Sequence, residues 1–194
     1  LSPSQFVWYE LMSHMLHRLF VSAFSLSSLV LAIYVGCQQA SAHMHGWIEQ
    51  SPKTVGEARF QIFLFDIYDA SLLSPDGRYD GNPPYALKLY YLRDIARQTI
   101  IDSSLEEMRR QGATDLIKLT EWADWLGLHI PDMKEGDEAV LVALAGGGMM
   151  LFHNGIKLGQ IDDLSFNEAF LGIWLSDNAL KPKLSRMLRG LGSE

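Results

Sequence analysis

Short apolar segments separated by turn residues make up most of the chain from residue 58 onward. Residues 58–73 are rich in Phe, Ile and Leu. With the two-residue period of a strand, these apolar side chains fall on both faces, so the segment is predicted to be one strand buried on both faces. Residues 85–92 alternate similarly after the turn residues of 75–84, and predict a second central strand. Further strands are predicted at 138–145, 149–153 and 156–161.

The last two of these strands are joined by Asn154-Gly155. Both residue types accept the positive φ of a type I′ turn, so the sequence predicts a β-hairpin here. Ser165 and Glu168 then have the spacing of a capping box, and apolar residues recur at helical spacing after them. The hairpin is therefore expected to lead directly into a helix over residues 165–175.

Two helices are predicted in the middle of the chain. Ser103 and Glu106 form a second capping box that opens a helix over 105–111, and Gly112 ends it. Thr114 is expected to start the next helix, in which apolar residues share one stripe.

A last helix is predicted to begin with Pro182 at its first position and to end near Gly190. Strands come first, helices follow, and a hairpin precedes the final helices. This order favours an α+β domain over alternating βαβ units.

Several ordered motifs carry a family resemblance: Tyr68-Asp-Ala-Ser-Leu72, Ala86-Leu-Lys-Leu-Tyr-Tyr-Leu-Arg-Asp-Ile95, Ile130-Pro-Asp-Met-Lys-Glu-Gly-Asp137, the Asn-Gly hairpin and Phe170-Leu-Gly-Ile-Trp-Leu175. Over about residues 55–191 the chain resembles the chalcone isomerase-like proteins of bacteria. The resemblance implies one large antiparallel sheet with helices packed on one face, an open-faced β-sandwich. It also implies a ligand cleft between the sheet and the helices.

Residues 1–42 have the pattern of a leader with a cleavable signal peptide. A basic start at 15–18 precedes an uncharged apolar stretch over 19–35, and Ala40-Ser-Ala42 offers a cleavage site. We therefore expect a chalcone isomerase-like domain over 43–194 that is exported to the periplasm. Two alternatives stay open, a retained membrane anchor and lipoprotein processing at Cys37.

Charge and cysteine usage narrow the classes of partner. A net charge of −7 makes nucleic acid an unfavourable partner. Cys37 is the single cysteine, so cleavage after Ala42 leaves no thiol for a disulfide or a thiolate metal site. We expect a monomer without metal or cofactor that contacts a membrane only through the leader, if the leader is retained.

The resemblance also suggests Arg59 as a catalytic candidate. Plant chalcone isomerases stabilise a forming enolate with an arginine shortly after glycines, and Gly56-Glu-Ala-Arg59 is the matching segment. The other plant site positions fall near Phe63, Ile117, Asp124 and Ile173, where none of the plant residue types is kept. The resemblance therefore favours the fatty-acid-binding relatives, in which an arginine pairs with a carboxylate.

The leading hypothesis is thus a non-catalytic protein that binds a small apolar, anionic ligand of the fatty-acid type. Its predicted ligand-binding residues are Arg59, Phe63, Tyr68, Tyr90 and Trp174. An intramolecular lyase acting on an unidentified enone is the first alternative, and a non-catalytic interaction protein of the envelope is the second. For Arg59 itself, an exposed arginine in a surface ion pair is the competing interpretation.

Overall fold

The computed structural model describes residues 51–192. The leader, its cleavage site and Cys37 lie outside these residues. Within them, six strands form one antiparallel sheet in which sequence neighbours are also spatial neighbours, in the order β1 to β6. The strands are β1 (Lys53–Ile62), β2 (Phe65–Ser74), β3 (Tyr85–Tyr91), β4 (Glu138–Ala143), β5 (Met149–His153) and β6 (Ile156–Ile161).

Four helices accompany the sheet in the described part of the chain: α1 (Arg97–Arg110), α2 (Leu116–His129), α3 (Leu164–Leu175) and α4 (Pro182–Leu188). The core lies between one sheet face and these helices. This arrangement confirms the predicted α+β class and the open-faced β-sandwich. No helix among residues 51–192 combines the length and the hydropathy that a membrane span requires.

Strand alternation decides which side chains enter the core. Leu72, Leu87, Leu141 and Leu151 share the face that meets the helices, and each is at most 3% exposed. Because successive side chains on a strand point to opposite faces, the neighbours of these leucines lie on the other side of the sheet. The alternation of side chains along each strand therefore determines which residues can reach a site beneath the helices.

The prediction of one strand over 58–73 is wrong, because this segment is a hairpin. β1 and β2 pair antiparallel with Phe60 opposite Tyr68, and a turn at Phe63 and Leu64 connects them. Phe63 has a φ of 53°, a left-handed conformation that bulky residues adopt rarely. Apolar residues occupy the turn itself, so the sequence contains no Gly, Asn or Pro to mark it.

The helix starts also differ from the predicted capping boxes. α1 begins at Arg97, with Ala96 at the N-cap, so Ser103 lies inside the helix. Asp115 caps α2 in place of Thr114, and Asp163 caps α3 in place of Ser165. Each aspartate accepts hydrogen bonds from two backbone amides of the first turn, the usual N-cap geometry.

The predictions for the hairpin turn and for the start of the last helix are confirmed. Asn154 and Gly155 have φ values of 49° and 79°, as a type I′ hairpin requires. Pro182 occupies the first turn of α4, where its missing N–H leaves no intrahelical hydrogen bond unmade.

Candidate functional site

A cavity of about 110 Å³ lies between the first two strands and the C-terminal helices. Side chains of β1, β2, α1, α3 and α4 surround it, together with the linker over residues 176–181 that joins α3 to α4. It is lined by Ala58, Phe60, Tyr68, Ala70, Ser103, Glu107, Ile173, Trp174, Ala179, Leu180, Lys181, Leu184, Ser185 and Leu188. Most of these side chains are apolar, so the cavity favours an apolar occupant.

The sheet side of the cavity is an aromatic floor. Phe60 and Tyr68 are cross-strand partners whose rings stack at 4.9 Å, tilted by only 9°. The ring of Tyr91 on β3 does not line the cavity but packs against Tyr68, with 5.7 Å between the ring centroids. Offset aromatic pairs of this kind add rigidity to the surface that they form.

Tyr68 reaches across the cavity to the helix layer. Its hydroxyl accepts a 2.8 Å hydrogen bond from Nε1 of Trp174 on α3. Burial raises the pKa of Tyr68 above its ordinary value, and the hydrogen bond from Trp174 offsets only part of this. The hydroxyl therefore stays protonated at physiological pH, and its proton remains a possible donor to an occupant of the cavity.

Glu107 of α1 holds the linker over the cavity. Its carboxylate accepts hydrogen bonds from the Arg110 and Gln111 side chains and a 3.0 Å bond from the backbone amide of Leu180. Burial by itself would raise the pKa of Glu107, but the hydrogen bonds from Arg110 and Gln111 and the Arg110 charge together lower it below its ordinary value. The carboxylate is therefore ionised, paired and committed to the linker.

Additional hydrogen bonds fix the same linker. The Ser185 hydroxyl donates to the carbonyl of Ser176 at 2.8 Å, and the Ser176 hydroxyl donates to Gln111 at 2.7 Å. Arg110 also donates to the carbonyl of Asn178. The linker is thus attached to α1 and α4 at several points and closes the cavity on that side.

Lys181 is the only cationic residue among those that line the cavity. It is exposed and occupies the N-cap position of α4, at the end of the linker. Glu107 is already paired, whereas Lys181 forms no ion pair with another residue among 51–192 and can therefore attract an anion.

Of the five predicted binding residues, the structure brings Tyr68 and Trp174 together at the cavity and places the other three elsewhere. Ala58 and Phe60 face the core, so Arg59 between them lies on the opposite sheet face. Tyr90 lies on this same face, 45% exposed and paired in register with Asp69.

Arg59 is engaged in a surface ion-pair network. Its Nε and NH2 groups donate to the two carboxylate oxygens of Asp69 at 2.6 and 2.8 Å, and its NH1 group donates to Asp66 at 3.0 Å. Hydrogen bonding and charge from Asp69, with a smaller contribution from Asp66, raise the pKa of Arg59. The guanidinium lines an open depression together with Glu57 and Ser71, and is not among the residues that line the cavity.

Phe63 lies at the β1–β2 turn, where its side chain is 93% exposed. It therefore forms no part of the cavity wall. Ile173, another position suggested by the plant-enzyme resemblance, does line the cavity.

Sequence reasoning missed Phe60, Glu107 and Lys181 as site residues. Phe60 was detectable, because a hairpin between β1 and β2 would have placed it on the face of Tyr68. Glu107 and Lys181 carry no local signal, since their positions depend on the packing of α1 against the linker. Among the described residues, no group of three or more His, Cys, Asp or Glu side chains is arranged to hold a metal ion.

Comparisons with known proteins agree with this architecture. A family model described as chalcone isomerase-like matches residues 55–190. A protein of Haemophilus influenzae, described as uncharacterized, is 27% identical over 142 residues, which cover 70% of this chain and 67% of that protein. A crystal structure of a fatty-acid binding protein from Arabidopsis thaliana superposes with a TM-score of 0.56 at 11% identity, covering 72% of this chain and 87% of that one.

Proposed function

Since the chain belongs to the chalcone isomerase-like family, we propose that it binds a small apolar ligand of the fatty-acid type in the cavity beneath α3 and α4. The observation that carries the proposal is the cavity itself, an aromatic floor closed by helices and lined mainly by apolar side chains. Burial of an apolar chain against such walls is favourable at about 25 cal/mol per Å².

The polar end of the ligand is proposed to lie at Lys181. We expect an acyl chain directed toward Phe60 and Tyr68 to bring its carboxylate near Lys181, the exposed cationic side chain among the lining residues. Arg59, which the resemblance suggested for this role, is paired with two aspartates on the other sheet face. The proposal therefore assigns the anion to Lys181 rather than to Arg59.

The size of the cavity restricts the ligand. A volume of about 110 Å³ is smaller than the ~150 Å³ of an apolar cavity that holds benzene, and well below the ~300 Å³ at which drug-sized pockets begin. A short chain or the end of a longer chain fits as the cavity stands. A full-length fatty acid requires the linker over 176–181 to move outward, which breaks the hydrogen bond from Leu180 to Glu107.

The Arabidopsis fatty-acid binding protein supports the proposal only through its fold, because the sequence identity is low. The proposed binding place is supported by the cavity between the first two strands and the C-terminal helices. The chemistry of the lining residues, rather than the likeness, selects an apolar ligand.

Calorimetric titration of the delipidated protein with saturated fatty acids of increasing chain length tests the proposal. Ala70→Leu fills the cavity from the β2 floor, and we expect it to abolish binding, whereas Tyr90→Phe on the opposite face leaves binding unchanged. Lys181→Met is expected to weaken the binding of fatty acids, which carry a carboxylate, but not the binding of the corresponding alcohols. Lys183→Met, two residues further along in the first turn of α4 and not lining the cavity, serves as the matched control.

Binding that survives Ala70→Leu unchanged contradicts the proposed location. If Arg59→Met weakens the binding of carboxylates and Lys181→Met does not, the anion binds at Arg59 on the outer sheet face.

A second candidate, an intramolecular lyase acting on an enone, is favoured by one observation. Tyr68 is a neutral hydroxyl donor in an apolar site, oriented by Trp174, and such a donor can stabilise a forming enolate. Turnover of a panel of enones that is lost in Tyr68→Phe supports this activity. A rate that is equal in the two proteins rules out Tyr68 as the donor.

We also propose that the protein acts after export, with residues 1–42 as its leader. The support is the basic start, the apolar stretch and the Ala40-Ser-Ala42 sequence. N-terminal sequencing of protein recovered from the periplasm tests this, because a start at His43 is expected.

A further inference from the structure

Four consecutive large apolar residues form the tip of the β1–β2 hairpin. Ile62, Phe63, Leu64 and Phe65 are 48%, 93%, 94% and 56% exposed. A single exposed apolar side chain is ordinary on a protein surface, but a contiguous run of this kind indicates a contact with something else.

The geometry of the turn directs this run away from the protein. β1 ends at Ile62 and β2 starts at Phe65, so Phe63 and Leu64 alone connect the strands. Phe63 adopts a φ of 53°, which costs energy for a bulky residue and which the fold nevertheless maintains. The tip is therefore convex, with two side chains almost wholly in solvent.

Polar side chains form a collar behind the tip. Arg93 lies with its guanidinium carbon 4.6 Å from the centre of the Phe65 ring. Arg59 pairs with Asp66 and Asp69 on the adjacent strand positions. Two cations and two anions balance in this collar, so the tip is apolar and its base is close to neutral.

We propose that this tip, residues 62–65, inserts into the interfacial region of a lipid bilayer. A protein partner fits less well, because four side chains on a convex turn fall short of the roughly 800 Å² per partner of a stable protein interface. Insertion into a membrane interface has no such minimum, since it depends on the apolar area that enters the acyl boundary. The neutral collar makes the contact independent of anionic lipid.

The tip also lies on the two strands that form the cavity floor. Phe60 precedes the exposed run by two residues, and Tyr68 follows it by three. A docked tip therefore holds the cavity beside the bilayer, where apolar ligands concentrate. The inference goes beyond the proposed function, because docking requires only the tip and not an occupied cavity.

Site-specific fluorescence on the exported protein, which is expected to start at His43, tests the proposal. Residues 43–194 contain no cysteine, so Leu64→Cys or Leu128→Cys carries the single environment-sensitive label. Leu128 is a matched control, 82% exposed on α2, whose neighbour His129 packs beside β6 at the opposite edge of the sheet. The vesicles are pure phosphatidylcholine, with or without bromine on the acyl chains.

We expect the label at position 64 to gain intensity and shift to shorter wavelength on addition of vesicles, and to be quenched by brominated chains. The label at position 128 is expected to do neither. Phe63→Ser is expected to remove the quenching at position 64, because it takes one of the two most exposed apolar side chains from the tip.

Two outcomes overturn the proposal. In the first, vesicles leave the label at position 64 unchanged. In the second, the emission of this label shifts to shorter wavelength without vesicles as the protein concentration is raised, which identifies a second copy of the chain as the occupant. Ligand binding is measured without vesicles, so neither outcome is confused with a failure of the proposed function.

Discussion

Trp174 and Tyr68 are separated by 106 residues in sequence and are joined by a 2.8 Å hydrogen bond from the indole Nε1 to the phenol oxygen. This bond connects α3 to β2 across the cavity. It fixes both the aromatic floor and the position of the helix that covers it, so a single polar contact links the stability of the fold to the shape of the candidate site.

Tyr68→Phe is predicted to destabilise the protein by about 1–3 kcal/mol, because it leaves the Trp174 N–H without its partner at a largely apolar site. Urea unfolding followed by circular dichroism measures this. Tyr90→Phe is the control, since Tyr90 is 45% exposed on the opposite sheet face, and a change within about 0.5 kcal/mol is expected. Equal effects of the two substitutions contradict a structural role for the bond.

Glu107 makes the stability of the protein dependent on pH. Its folded-state pKa lies below the ordinary value of 4.5, so its contribution is present above that pH and is lost as the pH falls through the folded pKa. Glu107→Gln is predicted to flatten the acid limb of the unfolding free energy below pH 4.5 and to lower stability at neutral pH. Glu106→Gln, exposed on the same helix, is the matched control.

The alternation of side chains predicted β3 to β6 well, because each strand is bounded by turn residues that are recognisable in sequence. It failed at the first hairpin, where Phe63 and Leu64 form a turn without glycine, asparagine or proline. This error affects the site directly. Once β1 is recognised as a strand with Phe60 opposite Tyr68, the two-residue period alone assigns Arg59 to the outer face.

The contacts of the helix layer were beyond sequence reasoning for a different reason. The bond between Glu107 and Leu180 spans 73 residues, and it forms only when α1, α3 and α4 are packed together. The predicted start of α3 was wrong for a local reason. Ser165 and Asp163 both suit an N-cap, and only the observed backbone distinguishes them.

Asp163 is predicted to contribute more than an ordinary cap. Its carboxylate accepts from the backbone of Ser165 and Phe166 and also from Nε1 of Trp122 at 3.0 Å. Asp163→Ala should cost at least the ~0.5–2 kcal/mol of a lost N-cap, measured by denaturant unfolding. Asp162→Ala removes an exposed neighbour that accepts only from Gln160, and little change is expected. A cost for Asp163→Ala no larger than that of Asp162→Ala would contradict the prediction.

The packing of α4 on the first strand predicts a strong effect at Gly56. A Cβ atom at this position would lie 2.0 Å from the carbonyl oxygen of Met187 and 2.7 Å from that of Leu188, both backbone atoms. Gly56→Ala must therefore push α4 away from β1, and a loss of about 1–3 kcal/mol is expected, as for an overpacked core. Since Leu184 and Leu188 of α4 line the cavity, ligand binding should weaken as well.

Thermal unfolding and ligand titration of the same sample separate the two effects of Gly56→Ala. The control is Gly146→Ala, in the turn before β5, where the added methyl group meets no atom within 4 Å. If Gly56→Ala melts like the unaltered protein, the contact between β1 and α4 is looser than the structure shows. If it is destabilised but binds ligand normally, α4 is not a wall of the binding site, and the proposed cavity must be reassigned.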